Sequence, residues 1–120
     1  MGDRASILFF DSSVISPTIY LHWHGQSVPE WLQLLQTRMS GRHNDAMYAA
    51  ARFVGLCHEQ IDGNLSLGIQ SNDFTHGDLT HPPTLVAASP GNAGFVLVNT
   101  LDFNWTDHGG YLAAEVGRPS

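Results

Sequence analysis

The chain contains the stretch PTIYLHWHG at residues 17–25, and its alternating pattern is the strongest local indication of the fold. Side chains alternate between the two faces of a β-strand. The apolar members of the stretch share one face and are expected to point to the core: Ile19, Leu21 and Trp23. The polar members share the other face, which could bind a ligand: Tyr20, His22 and His24. Gly25 is expected to end the strand.

The flanking sequence predicts a strand before this stretch and two helices after it. Residues 6–12 form an apolar run, and turn-forming residues separate it from residues 18–24, which predicts a hairpin. Ser27 is expected to cap a first helix, with Glu30 completing a capping box. Asn44 or Asp45 is expected to cap a second helix.

The second half of the chain changes to a strand-like pattern. Apolar residues alternate over residues 65–69, and residues 71–83 form a polar loop. Residues 84–88 and 95–100 are predicted to form a hairpin, and residues 111–116 a last strand. We therefore predict a single α+β domain over residues 1–120. It has an antiparallel sheet of about five strands in the order ββααβββ, covered on one face by an antiparallel helix pair.

The amino-acid composition limits the classes of protein to which the chain can belong. The 120 residues are 42% hydrophobic and 13% charged, which is typical of a globular domain. No apolar run approaches the roughly 20 residues of a membrane-spanning helix, so a membrane partner is not expected. The apolar run near the N-terminus is too short for a signal peptide, so export by such a signal is not expected, and Cys57 is the single cysteine. These features favour the cytoplasm, and Cys57 is expected to be a buried structural thiol.

Charge is distributed unevenly along the chain. The sequence has no lysine, and residues 59–120 carry the whole net charge of −6. Binding to a phosphate backbone needs clustered basic side chains, so direct contact with nucleic acid is disfavoured. An acidic region instead suits a basic protein surface or a cation. The alternative is that these carboxylates only keep the protein in solution.

Two patterns could carry catalytic or metal chemistry. His22 and His24 on one strand face could hold a zinc ion if a third ligand came from elsewhere. The loop at residues 73–81 repeats an Asp-x-x-His spacing, which can serve acid–base chemistry in a cleft. Both patterns are also typical of partly exposed strands and loops. No cofactor is expected.

The acidic half also offers candidate residues for binding a partner protein. The candidate acidic contacts are Asp73, Asp78, Asp102 and Asp107. Trp105 and Tyr111 flank an acidic, glycine-rich turn and could supply apolar anchors for a partner. The alternative is that they pack in the core. This interpretation requires the four carboxylates to come together in the folded chain.

The segment IYLHWHG, followed by a capped helix, resembles a group of small, uncharacterised phage, prophage and bacterial proteins. These carry an aromatic-x-His-Trp-Asp-Gly strand end near the N-terminus. The resemblance covers about residues 17–35. Tyr20, His22, Trp23 and Gly25 match, while His24 stands in the position of the aspartate. The resemblance implies an origin in a mobile element, where short acidic proteins bind and block host machinery, as anti-CRISPR proteins do.

Together these features favour a non-enzymatic inhibitor in the cytoplasm of a bacterial host. Its acidic surface would occlude a basic, nucleic-acid-binding effector. Two alternatives remain open: a small metal-dependent enzyme centred on His22 and His24, and a self-associating structural protein.

Overall fold

The computed structural model describes residues 2–39 and 44–114, which form a five-stranded sheet with helices on both faces. The strands are Ala5–Phe10 (β1), Thr18–Leu21 (β2), Leu67–Gln70 (β3), Gly94–Asn99 (β4) and Asn104–His108 (β5). The helices are Val28–Arg38 (α1), Ala46–Gln60 (α2) and the short Pro82–Ala87 (α3). Single turns of 3-10 helix lie at Gly25–Ser27, Asp78–Thr80 and Tyr111–Ala114.

The sheet is mixed, with the strand order β3-β2-β1-β4-β5. β1 lies at the centre and runs parallel to β4, from Ala5 opposite Gly94 to Phe10 opposite Asn99. The other neighbours are antiparallel, so the predicted hairpin of the first two strands is confirmed. The prediction of an antiparallel sheet is wrong, because β1 pairs with a strand from the far end of the chain.

The predicted order ββααβββ is also wrong, because residues 84–87 of the predicted strand at residues 84–88 lie in a helix. Pro82 and Pro83 occupy the first turn of α3, where a missing N–H costs no hydrogen bond. β4 therefore pairs with β5 across the turn at residues 100–103. The predicted last strand is a 3-10 turn up to Ala114, and residues 115 and 116 lie outside the described part. The antiparallel orientation of α1 and α2 stays a prediction.

The central strands bury both of their faces. Ile7 and Phe9 of β1 belong to the main core, which α1 and α2 close from one side. Leu8 of β1 and Phe95 of β4 belong to a second cluster, closed by Leu85 of α3. Each such side chain contributes about 1.5–3 kcal/mol by leaving water. We call the face under α1 and α2 the helix face, and the other the opposite face.

The N-terminus of α2 is held by two carboxylates. Asp45 is its N-cap, as predicted, and its side chain accepts a hydrogen bond from the Tyr48 N–H at 3.0 Å. Asp11, at the end of β1, accepts a second one from the Ala46 N–H at 3.0 Å. The first turn of α2 is thereby fixed to the end of the central strand, because donors at a helix N-terminus need acceptors.

The start of α1 differs from the prediction. Ser27 makes no capping hydrogen bond with its side chain, so the predicted capping box is wrong. A 3-10 turn precedes the helix instead, and the Gln26 N–H donates to the Asp3 carboxylate at 2.9 Å. Asp3 also accepts from the Tyr111 hydroxyl at 2.6 Å. One carboxylate thus connects the N-terminal segment to the 3-10 turn before α1 and to the last described turn.

The strand in the stretch at residues 17–25 is shorter than its alternation predicts. β2 ends at Leu21, and His24 has a left-handed backbone with φ of 74°. The period of two is lost after Leu21, so Trp23 does not follow Leu21 into the core and is 42% exposed. The prediction of a core Trp23 is wrong, whereas Trp31 of α1 is buried as expected.

Candidate protein-interaction surface

Three of the four predicted acidic contacts lie on the opposite face of the sheet. Asp73 follows β3 and lines a cavity with Thr18 and Phe95. Asp78 begins the 3-10 turn whose Leu79 packs on the opposite face. Asp102 lies in the turn between β4 and β5 and lines a second cavity, which Leu79 also borders. These three side chains, Asp73, Asp78 and Asp102, form what we call the acidic trio.

Local hydrogen bonds fix two members of the trio. The Thr75 N–H donates to the Asp78 carboxylate at 2.9 Å, and the Asp78 N–H donates to the Thr75 hydroxyl at 3.2 Å. The Asn104 N–H donates to the Asp102 carboxylate at 3.0 Å. Each bond uses one carboxylate oxygen within a short turn. Both carboxylates are therefore held in defined positions at the surface.

The two cavities beside the trio are open, and polar side chains line part of each. The one at Asp102 has a volume of about 330 Å³, with Asn99, Asn104 and Thr106 on its wall. The one at Asp73 has a volume of about 280 Å³. Its polar lining residues are Ser6, Thr18, Gln70, Ser71 and Asn72. Amide and hydroxyl groups beside carboxylates suit hydrogen bonding to a cationic side chain such as a guanidinium.

Asp107 lies on the other side of the sheet from the trio. It is opposite Val96 in the β4–β5 register, and Val96 belongs to the core on the helix face. The half-buried Asp107 side chain therefore does not join the three other aspartates. The neighbouring His108 side chain is on the opposite face. Burial lowers its pKa, and the charge of Asp107 opposes that effect in part.

The two predicted aromatic anchors behave differently. Trp105 is 4% exposed and belongs to the core on the helix face, so its ring offers almost no surface to a partner. Trp105 therefore packs in the core, which was the alternative to a role as an anchor. Tyr111 is exposed, and its hydroxyl donates to Asp3 rather than to a member of the trio. No aromatic anchor from the predicted set therefore lies beside the acidic trio.

The described arginines lie away from the trio or are already engaged. Arg38 of α1 forms an ion pair with Glu59 of α2 at 2.6 Å. Arg52 of α2 lies over the Tyr48 ring, 5.9 Å from its centre. Arg4 precedes β1, about 20 Å along the strand from the end at which Asp102 lies. The covering segment of the opposite face, residues 71–93, contains two aspartates and neither lysine nor arginine.

The histidines that suggested a metal site do not share a strand face. His22 and His24 follow the end of β2, and their rings pack edge-on against Trp23 and at a tilt against Trp31. Within residues 2–39 and 44–114, no three His, Cys, Asp or Glu side chains are grouped so that they could hold a metal ion. The prediction that His22 and His24 share a strand face is therefore wrong, and the two-histidine metal site depends on that face.

The Asp-x-x-His pairs in the loop at residues 73–81 do not bond to each other in the described contacts. The His76 Nε2 lies 2.7 Å from the backbone oxygen of Asp11. The His81 Nδ1 lies 2.8 Å from the Thr84 hydroxyl, at the start of α3. His76 thus holds the covering segment against the end of β1, and His81 holds the start of α3.

Burial raises the pKa of the Cys57 thiol to about 12, so the thiol is not ionised at neutral pH and is not a nucleophile.

Two features of the structure were missed by reasoning from the sequence. One is the role of Asp11, for which the run Asp-Ser-Ser after an apolar strand was an available indication of a side-chain-stabilised turn. The other is an apolar groove at the free edge of β3, which involves Met47 and Ile69. Its residues are far apart in sequence, so no local pattern marks it.

Comparisons with known proteins give no relative for this fold. No protein-family model matches the chain, and neither a curated protein nor a solved structure matches it. Among the described helices, none has the length and apolar character needed to cross a bilayer.

Proposed function

We propose that this protein is a non-enzymatic binding protein that covers a basic surface of a partner protein with the opposite face of its sheet. The observation that carries the proposal is the unbalanced negative charge on the opposite face. The acidic trio lies there, and the covering segment at residues 71–93 has neither lysine nor arginine. On α1 and α2, in contrast, two arginines are balanced by two glutamates: Arg38, Arg52, Glu30 and Glu59.

Electrostatics sets what such a surface can do. Exposed carboxylates attract a basic surface over a Debye length of about 8 Å at physiological salt. Each rim pair adds only about 0.2–1 kcal/mol, so the trio contributes mainly to association rate and to choice of partner. Affinity must also come from apolar contact. The surface therefore supports a salt-sensitive interaction with a partner that carries clustered Lys or Arg.

The specific form of the proposal is an inhibitor encoded by a phage or other mobile element. It would act in the cytoplasm of a bacterial host and occlude the nucleic-acid-binding groove of an effector, as anti-CRISPR proteins do. The resemblance of residues 17–35 to small phage and prophage proteins supports this origin. The acidic charge supports the target class, because a groove that binds nucleic acid is lined with basic side chains.

Affinity capture with matched variants tests the proposal. The tagged protein is immobilised and exposed to a lysate of the source cell at low salt. The test variant combines Asp73→Asn, Asp78→Asn and Asp102→Asn. The control variant makes the same change in net charge with Glu30→Gln, Glu59→Gln and Asp62→Asn, at exposed positions. Asparagine retains an acceptor oxygen for the turn hydrogen bonds of Asp78 and Asp102.

The proposal predicts that one basic protein is retained by the native chain and by the control variant, and is lost with the test variant. Retention by all three chains alike contradicts a role for the trio. Loss with both variants shows that only overall charge matters, which also contradicts it. Light scattering of the purified chain checks the structural-protein alternative, since large assemblies formed in isolation would favour that alternative instead.

A further inference from the structure

An apolar groove runs along the free edge of the sheet, on the helix face. It has a volume of about 250 Å³ and lies between α2 and the strands β2 and β3. Its lining is almost wholly apolar: Pro17, Ile19, Met47, Ala50, Ala51 and Ile69. Met47 and Ile69 are among the large apolar side chains that remain exposed in the described chain. Exposed apolar surface of this kind commonly marks a contact site.

Within residues 2–39 and 44–114, the backbone beside the groove is an open strand edge. β3 is the last strand of the sheet, and β2 pairs with it on one side only. His22 and Ser66 lie directly opposite each other, and the His22 N–H donates a hydrogen bond to the Ser66 oxygen. In an antiparallel ladder hydrogen-bonded pairs alternate with pairs that are not hydrogen-bonded, so every second pair along β3 is bonded to β2. The N–H and C=O groups of Leu67 and Ile69 therefore point outward from the sheet.

Nothing within β3 protects this edge. The strand reads Leu-Gly-Ile-Gln and contains no charged residue and no proline, which are the usual means of blocking an edge. The apolar groove lies beside this edge, between α2 and the strands β2 and β3. An extended segment added to β3 would pair with the groups of Leu67 and Ile69, and one apolar side chain of that segment would enter the groove.

Charge decides which segment fits. Residues 60–80, which contain β3, carry three aspartates and neither lysine nor arginine. A second copy of this chain, with a net charge of −6, would bring a second strand without basic residues and with the same acidic flanks to this edge. A segment with Lys or Arg between its apolar residues has the complementary charge. The observations therefore favour a basic extended segment over a second copy.

We propose that β3 binds an extended basic segment of a partner protein by strand addition, with an apolar side chain of that segment in the groove. The inference rests on the proposed function, since it adds a backbone and apolar contact to the acidic surface. It also supplies the apolar component that the acidic trio lacks.

The test uses the heptapeptide acetyl-Lys-Val-Lys-Val-Lys-Val-Lys-amide as the probe, titrated into the isotope-labelled full chain and followed by NMR. One comparison peptide replaces each lysine by glutamate, and another carries N-methyl groups that prevent strand pairing. The matched protein variants are Ile69→Ser and Leu101→Ser, because these side chains are 61% and 64% exposed and only Ile69 borders the groove.

The proposal predicts that the basic peptide slows hydrogen exchange at the Leu67 and Ile69 amides, whereas the Gly68 and Gln70 amides, which face β2, change little. Ile69→Ser should weaken binding about tenfold, and Leu101→Ser should leave it unchanged. Equal binding of the glutamate or N-methylated peptide overturns the proposal. Perturbations confined to residues other than those around β3 also overturn it.

The outcome separates this inference from the proposed function. If the basic peptide does not occupy β3 but neutralising the acidic trio still abolishes capture of the partner, the acidic surface stands and strand addition falls. If the peptide occupies β3 but the trio variant captures the partner normally, the edge is a binding site and the role of the trio falls.

Discussion

The Asp11 carboxylate accepts a hydrogen bond from the backbone N–H of Ala46 at 3.0 Å, across 35 positions of sequence. Its other oxygen accepts from the N–H groups of Ser13 and Val14 at 2.7 and 2.8 Å. The side chain is only 7% exposed. One buried carboxylate thus closes the turn after β1 and fixes the N-terminus of α2.

Replacing Asp11 by alanine should therefore destabilise the fold. Three backbone donors lose a charged acceptor, and we expect a loss of about 2–4 kcal/mol in the free energy of unfolding. Urea denaturation of Asp11→Ala and the native chain measures it. Asp73→Ala is the control, because Asp73 is exposed and should change the free energy by less than about 0.5 kcal/mol. Equal effects of both variants would show that Asp11 is not structural.

The stability of the fold should depend on pH because of the ionisation of Asp11. Burial alone would raise the pKa of the Asp11 carboxyl, but the hydrogen bonds from Ala46, Val14 and Ser13 outweigh burial and the pKa is lowered. The unfolded chain therefore binds this proton more readily. The stabilisation is complete above the unfolded pKa of about 3.9 and is lost as the pH falls through the lower folded value.

Urea midpoints measured from pH 7 to pH 2.5 test this assignment. The gap in stability between the native chain and Asp11→Ala should be constant from pH 7 to about pH 5 and should shrink steadily below about pH 4. A gap that stays constant into acid would mean that the Asp11 pKa is the same in the folded and unfolded chains.

Truncation of two tryptophans should destabilise the fold to very different extents. Trp31 is buried under α1, and Trp31→Ala should cost about 3–5 kcal/mol in unfolding free energy. Trp23 lies past the end of β2 and is 42% exposed, so Trp23→Ala should cost less than about 1 kcal/mol. Thermal unfolding followed by circular dichroism compares them. A large loss for Trp23→Ala would restore the longer strand predicted from the sequence.

Two glycines should also differ in their tolerance of a methyl group. Gly94 has φ of +114°, and an added Cβ would lie 2.6 Å from the backbone oxygen of His108. Gly94→Ala should therefore cost more than about 2 kcal/mol. Gly55 lies in α2 with no atom within 4 Å of an added Cβ, and Gly55→Ala should stabilise by about 0.5–1 kcal/mol. Urea denaturation decides, and a neutral Gly94→Ala would contradict the close β4–β5 packing.

Local patterns predicted most of the elements near the N-terminus. The cap of Asp45 follows from helix rules, and the β1–β2 hairpin follows from two short apolar runs around a turn. The parallel pairing of β1 with β4 could not be predicted from local patterns, because the two strands are far apart in the sequence. An indication was nevertheless present: both runs are apolar at successive positions, which is typical of strands buried on both faces.

The candidate surface was predictable only in part, because position along the chain does not fix the face of a sheet. Asp102 and Asp107 are five positions apart, yet they lie on different faces because the turn and the register of β5 come between them. The groove at Ile69 depends on contact between α2 and β3, which only the assembled fold provides.

The salt dependence of affinity tests the central claim most directly. With a captured basic partner purified, the dissociation constant is measured between 50 and 500 mM salt for the native chain and for the variant with the acidic trio neutralised. The account predicts that the native affinity falls steeply with salt, and that the variant binds more weakly and with a shallower dependence. Identical slopes for the two chains would contradict an acidic binding surface at Asp73, Asp78 and Asp102.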